Sequence, residues 1–212
     1  LIQVAIDCER FGAQGITVHP RPDERHIRYK DVYELKQVVK TEFNIEGYPS
    51  ETFMRLIEDI KPAQVTLVPD APDVLTSNAG WDTVKFEKEL TDIISRLKKV
   101  SRVSVFVEAD SDMVRGAKKC GADRVELYTE SYAAQYPNNP QQAIEKFITA
   151  ANTAQEVGLG LNAGHDLSLE NLRYFQENIP NLLEVSIGHA LISDALYYGL
   201  EKTIQMYRKE LE

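Results

Sequence analysis

The 212-residue chain predicts an α/β fold, a (β/α)₈ TIM barrel whose first strand is absent from this chain. Three observations carry that expectation. Strand-like and helix-like segments alternate without interruption from Gly15 onward, which implies a parallel sheet, and their number and even spacing favour a closed barrel over a doubly wound sheet. The chain opens on a helix, Leu1 to Phe11, that leads straight into the first visible strand, so the missing member is expected at the N-terminus. A strand, a loop and a helix start amount to about 20–30 residues of the natural protein. Finally, one face of every visible strand is polar, as a site inside a barrel requires.

The strands read from the pattern are 15–19, 42–46, 64–69, 103–108, 124–129, 159–162 and 184–188, seven in all. The helices between them are about 31–41, 50–60, 82–99, 111–120, 140–157, 168–178 and 190–211. Gly12, Gly121 and Gly158 follow helical runs as C-terminal stops, and Asp31, Ser50, Asp82, Ser111 and Ser168 are candidate N-caps. No interdomain linker or low-complexity stretch interrupts the chain, so residues 1–212 read as one domain. Asp70–Gly80 and Thr129–Pro140 read as mobile loops.

Composition bounds the partners. A hydrophobic share of 43% and a charged share of 27% are ordinary for a globular protein, and no apolar run reaches the roughly 20 residues of a membrane-spanning helix. The N-terminus lacks the basic-then-apolar pattern of a signal peptide. A net charge of −9 argues against a general nucleic-acid binder, while a small phosphorylated ligand needs only a local cationic pocket. Cys8 and Cys120 sit in helical patterns without metal-type spacing and read as reduced, buried thiols of a cytoplasmic protein.

With a side-chain period of two, one strand face carries Ile16 and Val18, Phe43 and Ile45, Val65 and Leu67, and so on, suited to packing under the helices. The other carries Thr17 and His19, Asn44 and Glu46, Thr66 and Val68, Ser104, Phe106 and Glu108, Glu126 and Tyr128, Gly160 and Asn162, Ser186 and Gly188. Three carboxylates therefore face the interior. Each must pair with a cation, share a proton or meet ligand and water; the plain alternative is a hydrogen-bonded plug that holds the strands in register. The four histidines, His19, His26, His165 and His189, all fall at or just beyond a strand's C-terminal end. That rim is where parallel barrels bind ligands, and imidazole suits both proton transfer and phosphate.

Two loops concentrate the chemistry. Gly15-Ile16-Thr17-Val18-His19-Pro20-Arg21-Pro22-Asp23-Glu24-Arg25-His26-Ile27 is a β-branched run ending in a loop that Pro20 and Pro22 keep from pairing or coiling, with two His and two Arg displayed. Asn162-Ala163-Gly164-His165 and Ile187-Gly188-His189-Ala190 follow the last two strands, where small residues let backbone N–H groups approach an anion.

Together with Asn44-Ile45-Glu46 and Leu67-Val68-Pro69, these blocks resemble the pyridoxine 5′-phosphate synthase family of the vitamin B6 pathway, in the right order over essentially the whole chain. The resemblance implies a (β/α)₈ barrel that condenses 1-deoxy-D-xylulose 5-phosphate with 3-amino-2-oxopropyl phosphate, releasing phosphate and water. It implies no metal or organic cofactor, two small phosphorylated substrates and a homo-octamer. Carried over by position, it makes His19 and Glu46 proton acceptors, His165 a proton donor and Glu126 a stabiliser of the transition state. Arg21, His26 and Thr76 would hold the deoxyxylulose phosphate; Asp166, Gly188 and His189 would hold the amino-oxopropyl phosphate. Some members have Gly at position 166, so the contact carried over there is a backbone one. The family's first strand also bears an Asn, an Asp-His pair and a following Arg that touch substrate, and none of these is present in this chain.

Rival readings differ in what they require. A Schiff-base aldolase needs a lysine at a strand end, and none of the seven strands offers one. A metal-dependent barrel could recruit His19, His165, His189 and Glu108. A non-catalytic phosphosugar-binding barrel would have no turnover to lose. The last helix, with Tyr197, Tyr198, Leu200, Ile204 and Tyr207, either covers the barrel or packs an oligomer.

Overall fold

The two-residue alternation becomes a sheet in the computed structural model, which describes residues 1–70 and 79–212. Among these residues seven strands lie side by side in sequence order, all parallel, in a nearly closed barrel. They are β1 (Gly15–Val18), β2 (Glu42–Gly47), β3 (Gln64–Leu67), β4 (Arg102–Val107), β5 (Arg124–Tyr128), β6 (Gly160–Gly164) and β7 (Leu182–Ser186). The helices are α1 (Ile2–Phe11), α2 (Tyr29–Val38), α3 (Glu51–Ile60), α4 (Glu87–Leu97), α5 (Ser111–Lys119), α6 (Glu130–Gln135), α7 (Pro140–Val157), α8 (Leu172–Asn178), α9 (His189–Tyr198) and α10 (Leu200–Lys209).

The apolar strand face does what its pattern requires. Ile45, Val65, Leu67, Val103, Val105, Val125 and Leu127 are fully buried in one cluster with Leu35, Ile57, Leu90, Ile94, Val114 and Phe147 of the helices. The polar face is buried as well: Asn44, Thr66, Ser104, Glu126 and Asn162 are almost wholly inaccessible. Nearer the C-terminal rim, Val68, Phe106 and Tyr128 form a separate small apolar cluster, with the Phe106 and Tyr128 rings 5.2 Å apart.

Several boundaries differ from the sequence reading, each for a local reason. β7 begins at Leu182 and ends at Ser186, and a register shift opposite Leu161 and Asn162 pairs Asn162 with Glu184. Gly188 therefore lies outside the strand as the N-cap of α9. Glu108 lies just past β4 on the rim, where its carboxylate accepts the Gly80 N–H at 3.3 Å. The cap of α5 is Asp110, whose side chain accepts from Asp112 and Met113, and not Ser111. Asp31 sits inside the first turn of α2, where its carboxylate accepts a hydrogen bond from the Arg28 N–H. The single last helix breaks at Gly199, whose φ of 80° and ψ of 148° are left to glycine.

Thr129–Pro140 is not a loose loop. It carries α6, anchored by Tyr132, whose buried ring packs on Phe147 and Phe175 and whose hydroxyl donates to the Asn171 carbonyl at 2.7 Å. The expected mobile segment Asp70–Gly80 lies mostly outside the described residues, and Thr76 with it. Removing the Tyr132 hydroxyl takes away one of the two donors to the Asn171 carbonyl, which the Phe175 N–H still bonds at 3.2 Å, and costs about 0.5–1.5 kcal/mol. Tyr132→Phe is therefore expected to lower the urea unfolding midpoint while keeping the fold; an unchanged midpoint would show that this bond contributes nothing net.

Candidate active site

Each candidate side chain is delivered by a strand end. His19 follows β1, and its Nδ1 stands 3.9 Å from Glu46 Oε2 on the adjacent β2. Arg21, two residues further on, is buried and donates to Asp70 Oδ2 at 3.0 Å, just past β3. This bond ties the β1 loop across β2 to the end of β3. Pro20 and Pro22 on either side of Arg21 narrow its backbone freedom, so the guanidinium arrives ordered. His26 is exposed, and Arg25 is drawn to Asp23 at 2.9 Å.

Burial inverts the protonation of the central pair. Burial holds His19 down to about 4, and the Arg21 charge adds to this against the opposing pull of Asp70. Burial raises Glu46 to about 7, reinforced by Glu184 and Asp70 and opposed by Arg21. The geometry would suit an ion pair, yet between about 4 and about 7 the favoured state is a neutral imidazole beside a protonated carboxyl. Glu126 on β5 is driven well above the carboxylate range, first by burial and then by Glu46 and Glu184, against the Thr66 hydroxyl. Its Oε2 is buried with no hydrogen-bond partner among the described residues.

Below these groups lies a second polar layer that the sequence reading did not single out. Arg124 Nη1 donates to Asn162 Oδ1 at 3.1 Å and to Glu184 Oε2 at 3.0 Å. Asn162 donates to Glu184 at 3.3 Å and reaches across the barrel to Gln64 Oε1 at 3.4 Å. Arg102 donates to the same Gln64 oxygen at 3.0 Å and pairs with Glu42. Glu184 is the first residue of the strand read at 184–188, on the same face as Ser186. Extending the two-residue period back from Ser186 would have found it.

The β6 loop is tightly braced. His165 and Asp166 both adopt positive φ, 85° and 59°, and His165 Nδ1 lies 2.7 Å from Asp166 Oδ2. The Thr129 hydroxyl, after β5, bonds the Gly164 carbonyl at 2.7 Å and also the His165 carbonyl. A Cβ at position 164 would stand 2.2 Å from Glu126 Oε1, so any residue but glycine there would displace that carboxylate. Gly188 and His189 are exposed at the start of α9, with open space where a Gly188 Cβ would be. Among the described residues no group of three or more His, Cys, Asp or Glu is arranged to hold a metal ion.

A parallel barrel with its titratable groups gathered at the C-terminal rim is the layout of a TIM-barrel enzyme. The chain belongs to the family described as pyridoxal phosphate biosynthesis protein PdxJ, which matches residues 1–212. Relatives named pyridoxine 5′-phosphate synthase include that of Cytophaga hutchinsonii, 64% identical across 100% of this chain and 90% of its own length. That of Porphyromonas gingivalis is 59% identical, covering 100% of this chain and 89% of its own. Solved structures share the fold at low identity. A phosphoribosylanthranilate isomerase from Thermotoga maritima has a TM-score of 0.64 at 13% identity over 100% of this chain and 93% of that one. A thiamine phosphate pyrophosphorylase from Pyrococcus furiosus has 0.65 at 13%, over 99% and 88%.

The central pair also sets a pH signature. A carboxyl raised to about 7 contributes stability that is complete below its ordinary value of 4.5 and is lost as pH rises through about 7. An imidazole lowered to about 4 has the opposite sign: its contribution is present above 6.5 and lost as pH falls through about 4. The two slopes oppose each other between about 4.5 and 6.5. Glu46→Gln is thus expected to unmask the His19 slope, so that urea midpoints fall more steeply on acidification across that window than in the parent. Parallel profiles for the two proteins would contradict the inverted pair.

Proposed function

We propose that the chain condenses 1-deoxy-D-xylulose 5-phosphate with 3-amino-2-oxopropyl phosphate to form pyridoxine 5′-phosphate, phosphate and water, by acid–base catalysis at the C-terminal rim. The observation that carries this reading is the His19–Glu46 pair, a neutral base beside a carboxyl poised near neutrality, in a chain of the PdxJ family. Joining an amino ketone to a keto sugar phosphate and closing an aromatic ring calls for imine formation, dehydration, phosphate loss and carbon–carbon closure. Each step moves a proton, so several acids and bases must surround one cavity.

In this reading His19 and Glu46 accept protons. A histidine held at about 4 is free to accept at working pH, and a carboxyl near 7 both takes and returns a proton with little cost. His165 donates. Glu126, kept neutral by burial, offers its unpartnered Oε2 to negative charge that develops in the transition state. Arg21, held by Asp70, binds the deoxyxylulose phosphate together with His26 and Thr76, the last of these from outside the described residues. Gly188 and His189 at the α9 N-terminus bind the amino-oxopropyl phosphate with the residue-166 backbone, since aligned helical N–H groups favour an anion there. The exposed Ile192, Leu196, Tyr197 and Tyr198 of α9 support self-association, which we take to be a homo-octamer working in the cytoplasm.

Mixing both phosphates with the protein and following phosphate release alongside pyridoxine-ring absorbance tests the reading. Ring formation is expected in the parent and to fall about 100-fold or more in Glu46→Gln, with deoxyxylulose phosphate still bound within a few-fold. Tight phosphosugar binding by the parent without ring product would favour the non-catalytic barrel.

A further inference from the structure

The side chain of Asp166 has no task in the proposed mechanism, because a carboxylate facing a phosphate repels it. Its geometry gives it another. Asp166 Oδ2 lies 2.7 Å from His165 Nδ1, a distance typical of a charge-assisted hydrogen bond. Adjacent residues in sequence do not ordinarily meet in this way; here they do so because both sit at positive φ, 85° and 59°, a conformation that costs a non-glycine residue energy.

The surrounding structure holds that turn in place. The Thr129 hydroxyl is bonded to the Gly164 and His165 carbonyls, and the Thr129 N–H also bonds the Gly164 carbonyl, at 3.0 Å. Asn171 Nδ2 donates to the Asp166 carbonyl at 3.3 Å, and Asn171 is itself held by the Tyr132 hydroxyl. The Tyr128 ring meets the imidazole edge-on, with centroids 4.9 Å apart. The ring of His165 is thus set by a carboxylate on one nitrogen and an aromatic contact, on a backbone braced by Thr129 and Asn171.

We infer that Asp166 is a positioning residue: its carboxylate engages His165 Nδ1, so that Nε2 is the nitrogen from which the proton leaves. The inference rests on His165 as the donor in the proposed reaction. In the donor form the ring carries protons on both nitrogens. The Nε2–H bond breaks as an O–H bond forms on the departing hydroxyl or phosphate oxygen, and the Nδ1 proton stays in the hydrogen bond between the ring and the Asp166 carboxylate. The other titratable groups facing this corner are Tyr128, Glu130, Glu108 and Asp70, together with Glu126 behind Gly164.

The test is Asp166→Asn, read by steady-state kinetics and by ¹⁵N NMR of the His165 imidazole. The parent's neutral ring is expected to carry its proton on Nδ1, and the variant to gain a clear population protonated on Nε2. In the variant kcat is expected to fall about tenfold with KM for both phosphates within about twofold. Asp166→Glu, which retains the charge, should recover part of kcat. An unchanged tautomer in Asp166→Asn overturns the pairing, and a raised KM for one phosphate at constant kcat overturns it in favour of a ligand contact. The NMR readout needs no turnover. A parent that makes no ring product yet keeps the Asp166-dependent tautomer would sink the proposed reaction and leave the pairing standing.

Discussion

Carboxylates enclosed by a barrel wall that excludes water must each meet a cation or hold a proton, and this constraint organises the interior. At the floor the first solution prevails: Arg124 answers Glu184, Arg102 answers Glu42, and Asn162 and Gln64 join the two pairs across the barrel. At the rim the cations are committed elsewhere, Arg21 to Asp70 above all, so Glu46 and Glu126 are left to hold protons. The same fold therefore builds a structural layer and a reactive layer from one type of side chain, as Glu42 and Glu46 do four residues apart on β2.

The division explains why the floor matters to the chemistry without touching it. Glu184 is paired with Arg124, yet its charge still helps to raise both Glu46 and Glu126. Arg21 acts in the contrary direction on Glu46 while lowering His19. The neutral state of the rim pair is thus set first by burial, with the Glu184 charge and the Arg21 loop acting on it from either side.

Legibility in the sequence followed the range of the interaction. The period-2 pattern was enough to place Asn44, Thr66, Ser104, Glu126 and Asn162 inside and the Val and Leu positions under the helices, since alternation is a local property of an extended chain. Boundaries were less secure where two signals overlapped. Leu182 and Leu183 blend with the preceding turn, which hid the start of β7; the Tyr-rich segment after Thr129 carries weak helical periodicity, which hid α6.

By itself the sequence determined the parallel barrel, its polar interior and the gathering of four histidines at one rim, because these follow from strand period, helix punctuation and strand direction. Only the tertiary structure decided which groups meet. The 3.9 Å approach of His19 to Glu46, the Arg21–Asp70 tie and the bracing of the His165 turn by Thr129 and Asn171 join residues from different strands and loops. Protonation belongs to the same class, since it depends on the burial and neighbouring charge that closing the barrel creates.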